Sequence, residues 1–329
     1  MSSPSPLVIL CPGQGAQAVG MGKAYFEKST ESRSVFEHAD KILASFIGNA
    51  LGSELSRLCF EGPADRLNQT DASQPAIFAT SIASYAALKA AWGFSNGEVP
   101  LAAASGLSLG EYTALTIAGA MSFEDGLKLV ALRGRAMQDA AEASHGSMVA
   151  LIGADETQAQ EVCDSARGSD VLVCANFNAP GQIVLSGSKS ACDRAVEVSS
   201  KMGLRATPLT VAGAFHSPLM QPAADRLADA LSRTEIKTPK CAVYANVTGD
   251  VHDDEPDTIR RRLVEQLTSP VKWSQSCAAK ATTYAGKAEF HELAPGKTLA
   301  GLYRRISKDV KVKTNDEPYE PFPLNASLP

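Results

Sequence analysis

This chain has no basic excess: 31 Lys and Arg stand against 36 Asp and Glu, for a net charge of −5 at pH 7. A protein that grips a nucleic-acid backbone needs the opposite balance, so nucleic acid is not an expected partner. No CxxC occurs, and the seven cysteines (11, 59, 163, 174, 192, 241 and 277) are scattered and odd in number. That argues against a disulfide framework or a zinc site and points to a reducing compartment, the cytoplasm. No window reaches 18 uninterrupted apolar residues, and the apolar stretch Ala114 to Ala120 is short, so no membrane span is expected. Met1 to Pro6 lacks the basic-then-apolar order of a secretory signal. Internal repeats, low-complexity blocks and HExxH-type metal spacings are missing too, and neither a metal nor a cofactor is expected. What is present is ordinary globular composition, 44% apolar and 20% charged over 329 residues, enough for one large domain or two modest ones.

Leu7 to Cys11 (LVILC) is a short apolar run ending at Pro-Gly and reads as a buried strand. Helical stretches follow to about residue 93, the longest being SQPAIFATSIASYAALKAAW, apolar enough for a core helix. Pro100 to Gly106 reads as a small-residue strand running into a glycine turn, followed by helices at about 109–119 and 122–142. The rhythm then changes. Strand, helix, two strands around an Asn-Ala-Pro-Gly turn, helix and strand succeed one another from about 145 to 210. This β-α-β-β-α-β order is the split-βαβ, ferredoxin-like signature, and it predicts a compact insertion at 144–210 within a core formed by 1–143 and 211–329. Strand-like stretches at 241–245 and 288–293 alternate with helices, which predicts a parallel sheet covered on both faces. The Pro-, Asn- and Glu-rich tail beyond about 314 reads as an irregular strap.

Gly106-Leu107-Ser108-Leu109-Gly110 matches G-x-S-x-G with a strand before it and a helix after it. The glycines allow a sharp turn that lifts Ser108 clear at the positive end of the helix, with the Leu109 amide facing a developing oxyanion. The alternative is a plain helix cap, Ser108 with Glu111 at the capping-box position. A nucleophilic serine needs a base, and there are five histidines. His38 lies on a charged helix, His145 and His252 among turn residues, and His291 in a strand-like stretch. His216 follows the small-residue loop Ala212-Gly213-Ala214-Phe215 and precedes Ser217-Pro218, a helix start at a strand end, where α/β sites gather. It reads as a base or as a loop histidine. No acid presents itself as a third member. A main-chain carbonyl would suffice for thioester chemistry, because a thiol of pKa about 8.5 leaves with little acid assistance.

Ser122 starts a helix on which Arg133 shares an i, i+4 row with apolar Leu129 and Met137, while Arg135 shares one with Asp139. Arg133 is therefore pulled inward, either into a structural ion pair or as a socket for a substrate carboxylate. Two other motifs fail on context. Gly13 to Ala18 fits G-x-G-x-x-A after a strand, but the region that should hold a second strand and its acid is helical. Pro295-Gly296-Lys297-Thr298 resembles a phosphate loop, but His291 stands where its first glycine must be.

Taken in order, Pro12-Gly13-Gln14-Gly15, the serine turn, LVALRGRAMQ, Gly213-Ala214-Phe215-His216-Ser217, Gln266-Leu267 with Ser269-Pro270-Val271, and Ala294-Pro295-Gly296-Lys297 closely resemble the malonyl-CoA:acyl carrier protein transacylase family of type II fatty acid synthesis. The resemblance spans about residues 7 to 306. It implies an α/β-hydrolase-like core with an inserted ferredoxin-like subdomain. It also implies ping-pong transfer of a malonyl group from malonyl-CoA, through a serine ester, to the phosphopantetheine thiol of acyl carrier protein. By the same resemblance Ser108 is the nucleophile, His216 the base, and the Gln14 and Leu109 amides the oxyanion hole. Arg133 holds the malonyl carboxylate, Gln266 orients the histidine largely through its main chain, and Phe215 is the bulky residue tied to malonyl over methylmalonyl selection. Leu107 stands where the family often has His, which bears on fine acyl selectivity. A monomer is expected. Carrier docking would need a local basic patch, with Lys189, Arg194, Lys201, Lys272 and Lys297 as candidates. A serine hydrolase and a non-catalytic carrier-binding module are the rival readings.

Overall fold

The computed structural model describes residues 5–94 and 99–318. Nine strands occur among them: β1 (Leu7–Cys11), β2 (Leu101–Gly106), β3 (Gly146–Ile152), β4 (Leu172–Ala179), β5 (Gln182–Ser188), β6 (Arg205–Pro208), β7 (Ala242–Tyr244), β8 (Glu289–Leu293) and β9 (Val312–Asn315). They form two sheets. One is five-stranded, in the order β7-β2-β1-β8-β9, with every neighbouring pair parallel. The other is four-stranded, in the order β4-β5-β3-β6, with every pair antiparallel.

The parallel sheet is buried on both faces, as its apolar strands require. Along β1, Leu7, Ile9 and Cys11 enter one apolar cluster while Val8 and Leu10 enter another on the opposite face, the period-two alternation of a central strand. The first cluster also takes in the helix Thr70–Ala91, buried along most of its length. Small residues on that helix, including Ala72, Ser73, Ala76 and Ala79, let neighbouring helices approach closely.

The antiparallel sheet carries helices Glu156–Arg167 and Lys189–Lys201 and has its own apolar core, with Val149, Leu151, Val162, Leu172 and Leu185 among its members. Its strand order is that of a ferredoxin-like unit. A short main-chain bridge ties it to the larger body: Val271 N–H donates to the Ala175 carbonyl (2.8 Å), and Phe177 N–H to the Val271 carbonyl (2.9 Å).

β9 is the element that the sequence reading left unassigned. It is an edge strand beside β8, and its Asn315 is buried, with Nδ2 donating to the Glu292 carbonyl at 2.7 Å. The strap expected further on lies, from residue 319, outside the described residues. No helix among the described residues is long and apolar enough to cross a membrane.

Candidate active site

β2 ends at Gly106, and the chain turns into helix Gly110–Ile117 within three residues. Ser108, at the apex, has φ of 53°, a left-handed conformation that costs about 1–3 kcal/mol for a residue with a side chain. Both flanking glycines are required sterically. A Cβ on Gly106 would overlap the Gly110 main chain, and one on Gly110 would overlap the Cys11 carbonyl of β1. The strained serine is held by Asn246 just beyond β7, whose Oδ1 accepts from Ser108 N–H at 2.6 Å while its Nδ2 donates to the Gly106 carbonyl at 2.8 Å. Ser108 does not cap the helix, because no side chain caps its first turn.

Ser108 Oγ lies 2.9 Å from His216 Nε2. His216 Nδ1 lies 2.7 Å from the Gln266 carbonyl, which can only accept, so Nδ1 carries the proton and Nε2 faces the hydroxyl as an acceptor. No carboxylate contacts this histidine among the described residues. Burial, and then the neighbouring Arg133 charge, push His216 down to about 4, against a weaker upward pull from the Gln266 carbonyl. The ring is therefore neutral at pH 7.

Arg133 is 1% exposed. Its Nη1 donates to Gln74 Oε1 (2.8 Å), and its Nη2 to Gln266 Oε1 (2.8 Å) and to Ser108 Oγ (3.0 Å). The Tyr112 ring lies 5.4 Å from its guanidinium carbon. The acceptors around it are thus amides and a hydroxyl, with no carboxylate in direct contact, so the structural ion pair weighed from sequence does not form. Arg135, four residues before Asp139, is exposed and pairs with it at 2.9 Å.

These groups stand at a cleft of about 630 Å³ between the two sheets. Ser108, His216, Phe215 and Gln14 line it from the larger body, and Met148 and Val184 from β3 and β5. Leu107 borders it as well. Neither the Gln14 nor the Leu109 main-chain N–H has a protein acceptor among the described residues, while the Gln14 side chain donates to Thr70 Oγ1 at 3.3 Å. Of the basic candidates, Lys189 is paired with Asp193 (2.8 Å) and Arg194 with Asp170 (2.7 Å), whereas Lys201 and Lys297 are exposed.

Four site residues escaped the sequence reading: Gln74, Glu111, Asn246 and His252. Glu111 enters the sequence reading only as the capping-box position of the alternative, cap reading of Ser108. Its carboxylate instead turns inward, wholly buried, against Asn246, Gln266 and His252. Asn246 follows β7 by two residues, and a strand end of a parallel sheet is the one signal that could have found it. No group of three or more His, Cys, Asp or Glu suited to a metal occurs among the described residues.

A serine on a strained strand-to-helix turn, a histidine on its hydroxyl and open amides beside it are the equipment of acyl transfer. The chain belongs to the acyl transferase domain family, whose model matches residues 8–315. Its relatives narrow the likeness. It is 39% identical over 316 residues to the malonyl CoA-acyl carrier protein transacylase of Bacillus subtilis (strain 168), covering 95% of this chain and 94% of that one. The crystal structure of the malonyl-CoA:acyl carrier protein transacylase of Xanthomonas oryzae pv. oryzae superimposes with a TM-score of 0.86 at 39% identity, covering 96% of both chains. A malonyl-transacylase solved in complex with its type II PKS acyl-carrier protein gives 0.86 at 33% identity, covering 95% of this chain and 96% of that one.

Proposed function

We propose that this chain is a malonyl-CoA:acyl carrier protein transacylase of fatty acid biosynthesis, acting by ping-pong transfer through an ester on Ser108. The observation that carries the residue assignment is the contact of Ser108 Oγ with both His216 Nε2 (2.9 Å) and Arg133 Nη2 (3.0 Å) in one cleft. In the first half-reaction His216 Nε2 takes the hydroxyl proton as Oγ attacks the thioester carbonyl. The oxyanion forms against the Gln14 and Leu109 amides, each worth about 10²–10³ in rate. As the C–S bond breaks, the imidazolium returns its proton to the sulfur, coenzyme A departs as the thiol, and a malonyl ester remains. In the second half the carrier's phosphopantetheine thiol gives its proton to His216 and attacks that ester, and Ser108 recovers its own proton.

Arg133 is the group that holds the malonyl carboxylate. It lies beside the nucleophile with its charge unneutralised by direct contact, which suits a ligand that brings its own anion. Phe215, 6% exposed, lines the same cleft as Ser108 and His216, and we assign it the contact with the acyl branch. Residues 1–143 and 211–329 make up the catalytic core and 144–210 the inserted subdomain. A cytoplasmic setting agrees with seven unbridged cysteines.

The test is intact-mass spectrometry after mixing with malonyl-CoA, followed by addition of holo carrier protein. One malonyl group should appear on Ser108 and leave with the carrier, and Ser108→Ala should take up none. Rapid loss of the ester to water without any thiol present would favour a hydrolase. Transfer surviving in Ser108→Ala would end the assignment.

A further inference from the structure

Glu111 is the most heavily used buried acid of the site, yet it touches neither Ser108 Oγ nor the cleft. Its Oε1 accepts from His252 Nε2 at 2.7 Å. That leaves Oε2 facing two donors, the Asn246 main-chain N–H at 3.0 Å and Gln266 Nε2 at 2.6 Å. Both donors belong to residues that handle the reacting groups. Gln266 Nε2 also donates to the Ser108 carbonyl (3.0 Å), and Gln266 Oε1 accepts from Arg133. A guanidinium can only donate and a carboxylate can only accept, so a side-chain amide caught between them has a single orientation. Asn246 in turn holds Ser108 N–H and the Gly106 carbonyl, the two sides of the serine turn.

We propose that Glu111, steadied by His252, is a positioning residue: it fixes the Gln266 amide so that its oxygen aims Arg133 at the acyl carboxylate, and it fixes Asn246 beneath the Ser108 turn. The inference rests on the acyl-transfer reading above. Reach matters more than charge on this view. Glu111→Asp keeps the charge but draws the carboxylate back by one methylene, away from all three donors. Glu111→Gln keeps the reach. Its carbonyl oxygen can occupy the Oε2 position and accept from both Asn246 and Gln266, while its amide donates to His252 in the other neutral tautomer.

The experiment measures kcat/KM for Ser108 acylation by malonyl-CoA and by acetyl-CoA, whose acyl group carries no carboxylate, in wild type and both variants, with circular dichroism to verify folding. Glu111→Asp should lose about tenfold or more with malonyl-CoA and markedly less with acetyl-CoA, since a loosened Ser108 turn costs both donors while misaiming Arg133 costs the charged one in addition. Glu111→Gln should stay within about threefold of wild type on both and retain its malonyl-to-acetyl ratio. A collapse of that ratio in Glu111→Gln counts against the proposal even if Glu111→Asp fails to fold. Equal losses on both donors in Glu111→Asp, or a collapsed ratio in Glu111→Gln, would overturn the proposal. Wild-type protein that takes up neither acyl group would instead sink the functional reading on which it stands.

Discussion

Arg133→Ala should separate the choice of acyl group from the chemistry of transfer. The guanidinium is almost wholly buried, and its two terminal nitrogens are already aligned by Gln74 and Gln266 at 2.8 Å. Truncating one partner of such a buried, charge-assisted contact costs about 3–5 kcal/mol. At about 1.36 kcal/mol per factor of ten, kcat/KM for malonyl-CoA should fall by about 10²–10³ or more, while acetyl transfer is spared or improved. A second effect has the opposite sense. Arg133 is the second largest cause, after burial, of the depressed basicity of His216, which it helps to hold at about 4. Removing the charge lifts the histidine toward, but not to, its ordinary 6.5, because burial remains. The base works only when unprotonated, and its activity is lost as pH falls through its pKa. The acid limb of acetyl transfer should therefore move to higher pH in Arg133→Ala than in wild type. Acylation measured by intact mass from pH 4 to 8 reads both effects. Equal losses for malonyl and acetyl would refute the carboxylate socket, and an unmoved acid limb would refute the electrostatic coupling.

Gly110→Ala places a methyl group on the Cys11 carbonyl, a main-chain atom of the central strand that cannot step aside. It should lower stability by about 1–3 kcal/mol in urea unfolding and depress acylation further by shifting Ser108; a wild-type midpoint would show that the turn has slack. Lys280 is fully buried, with its ammonium 4.4 Å from the Tyr244 ring centre, 5.1 Å from that of Trp273 and 3.0 Å from Ser276 Oγ; burial pushes it down to about 8. The unfolded chain holds that proton more tightly, so stability should rise with pH between about 8 and 10.5 and be flat below. Lys280→Met should raise the neutral-pH stability by about 1–3 kcal/mol and abolish that rise; a lower Tm at pH 7 would mean that the aromatic contacts outweigh burial.

Local patterns in the chain were readable where one element decides its own geometry. Helices 156–167 and 189–201 begin and end where their apolar spacing and flanking residues place them. Ser108 could be found because the glycines that shape its turn are two positions away on either side, and His216 because a small-residue loop and a Ser-Pro start surround it. Arg133 was legible as an inward-facing cation, but what surrounds it was not. Gln74 and Gln266 meet it across 59 and 133 residues, and nothing local to either glutamine marks that meeting. The role of Glu111 was hidden for a related reason. A Ser-x-x-Glu spacing satisfies the local rule for a cap, and only the packing of the loop after β7 and of Gln266, more than 130 residues on, offers its carboxylate better donors. β9 was missed because VKTN is short and mostly polar; its pairing with β8 makes it a strand.

The histidine leans on an uncharged oxygen, and if it is the base proposed above, this bears on how long an acyl group can be stored. A carboxylate there would stabilise the imidazolium and make the ring a strong enough base to activate water, whose pKa is about 15.7. The Gln266 carbonyl gives too little to offset burial and the Arg133 charge, and the resulting weak base suits an acceptor that nearly ionises unaided, such as a thiol at about 8.5. On the proposed acyl-transfer reading, the mildness of this base is what would shelter the loaded enzyme from hydrolysis between arrivals.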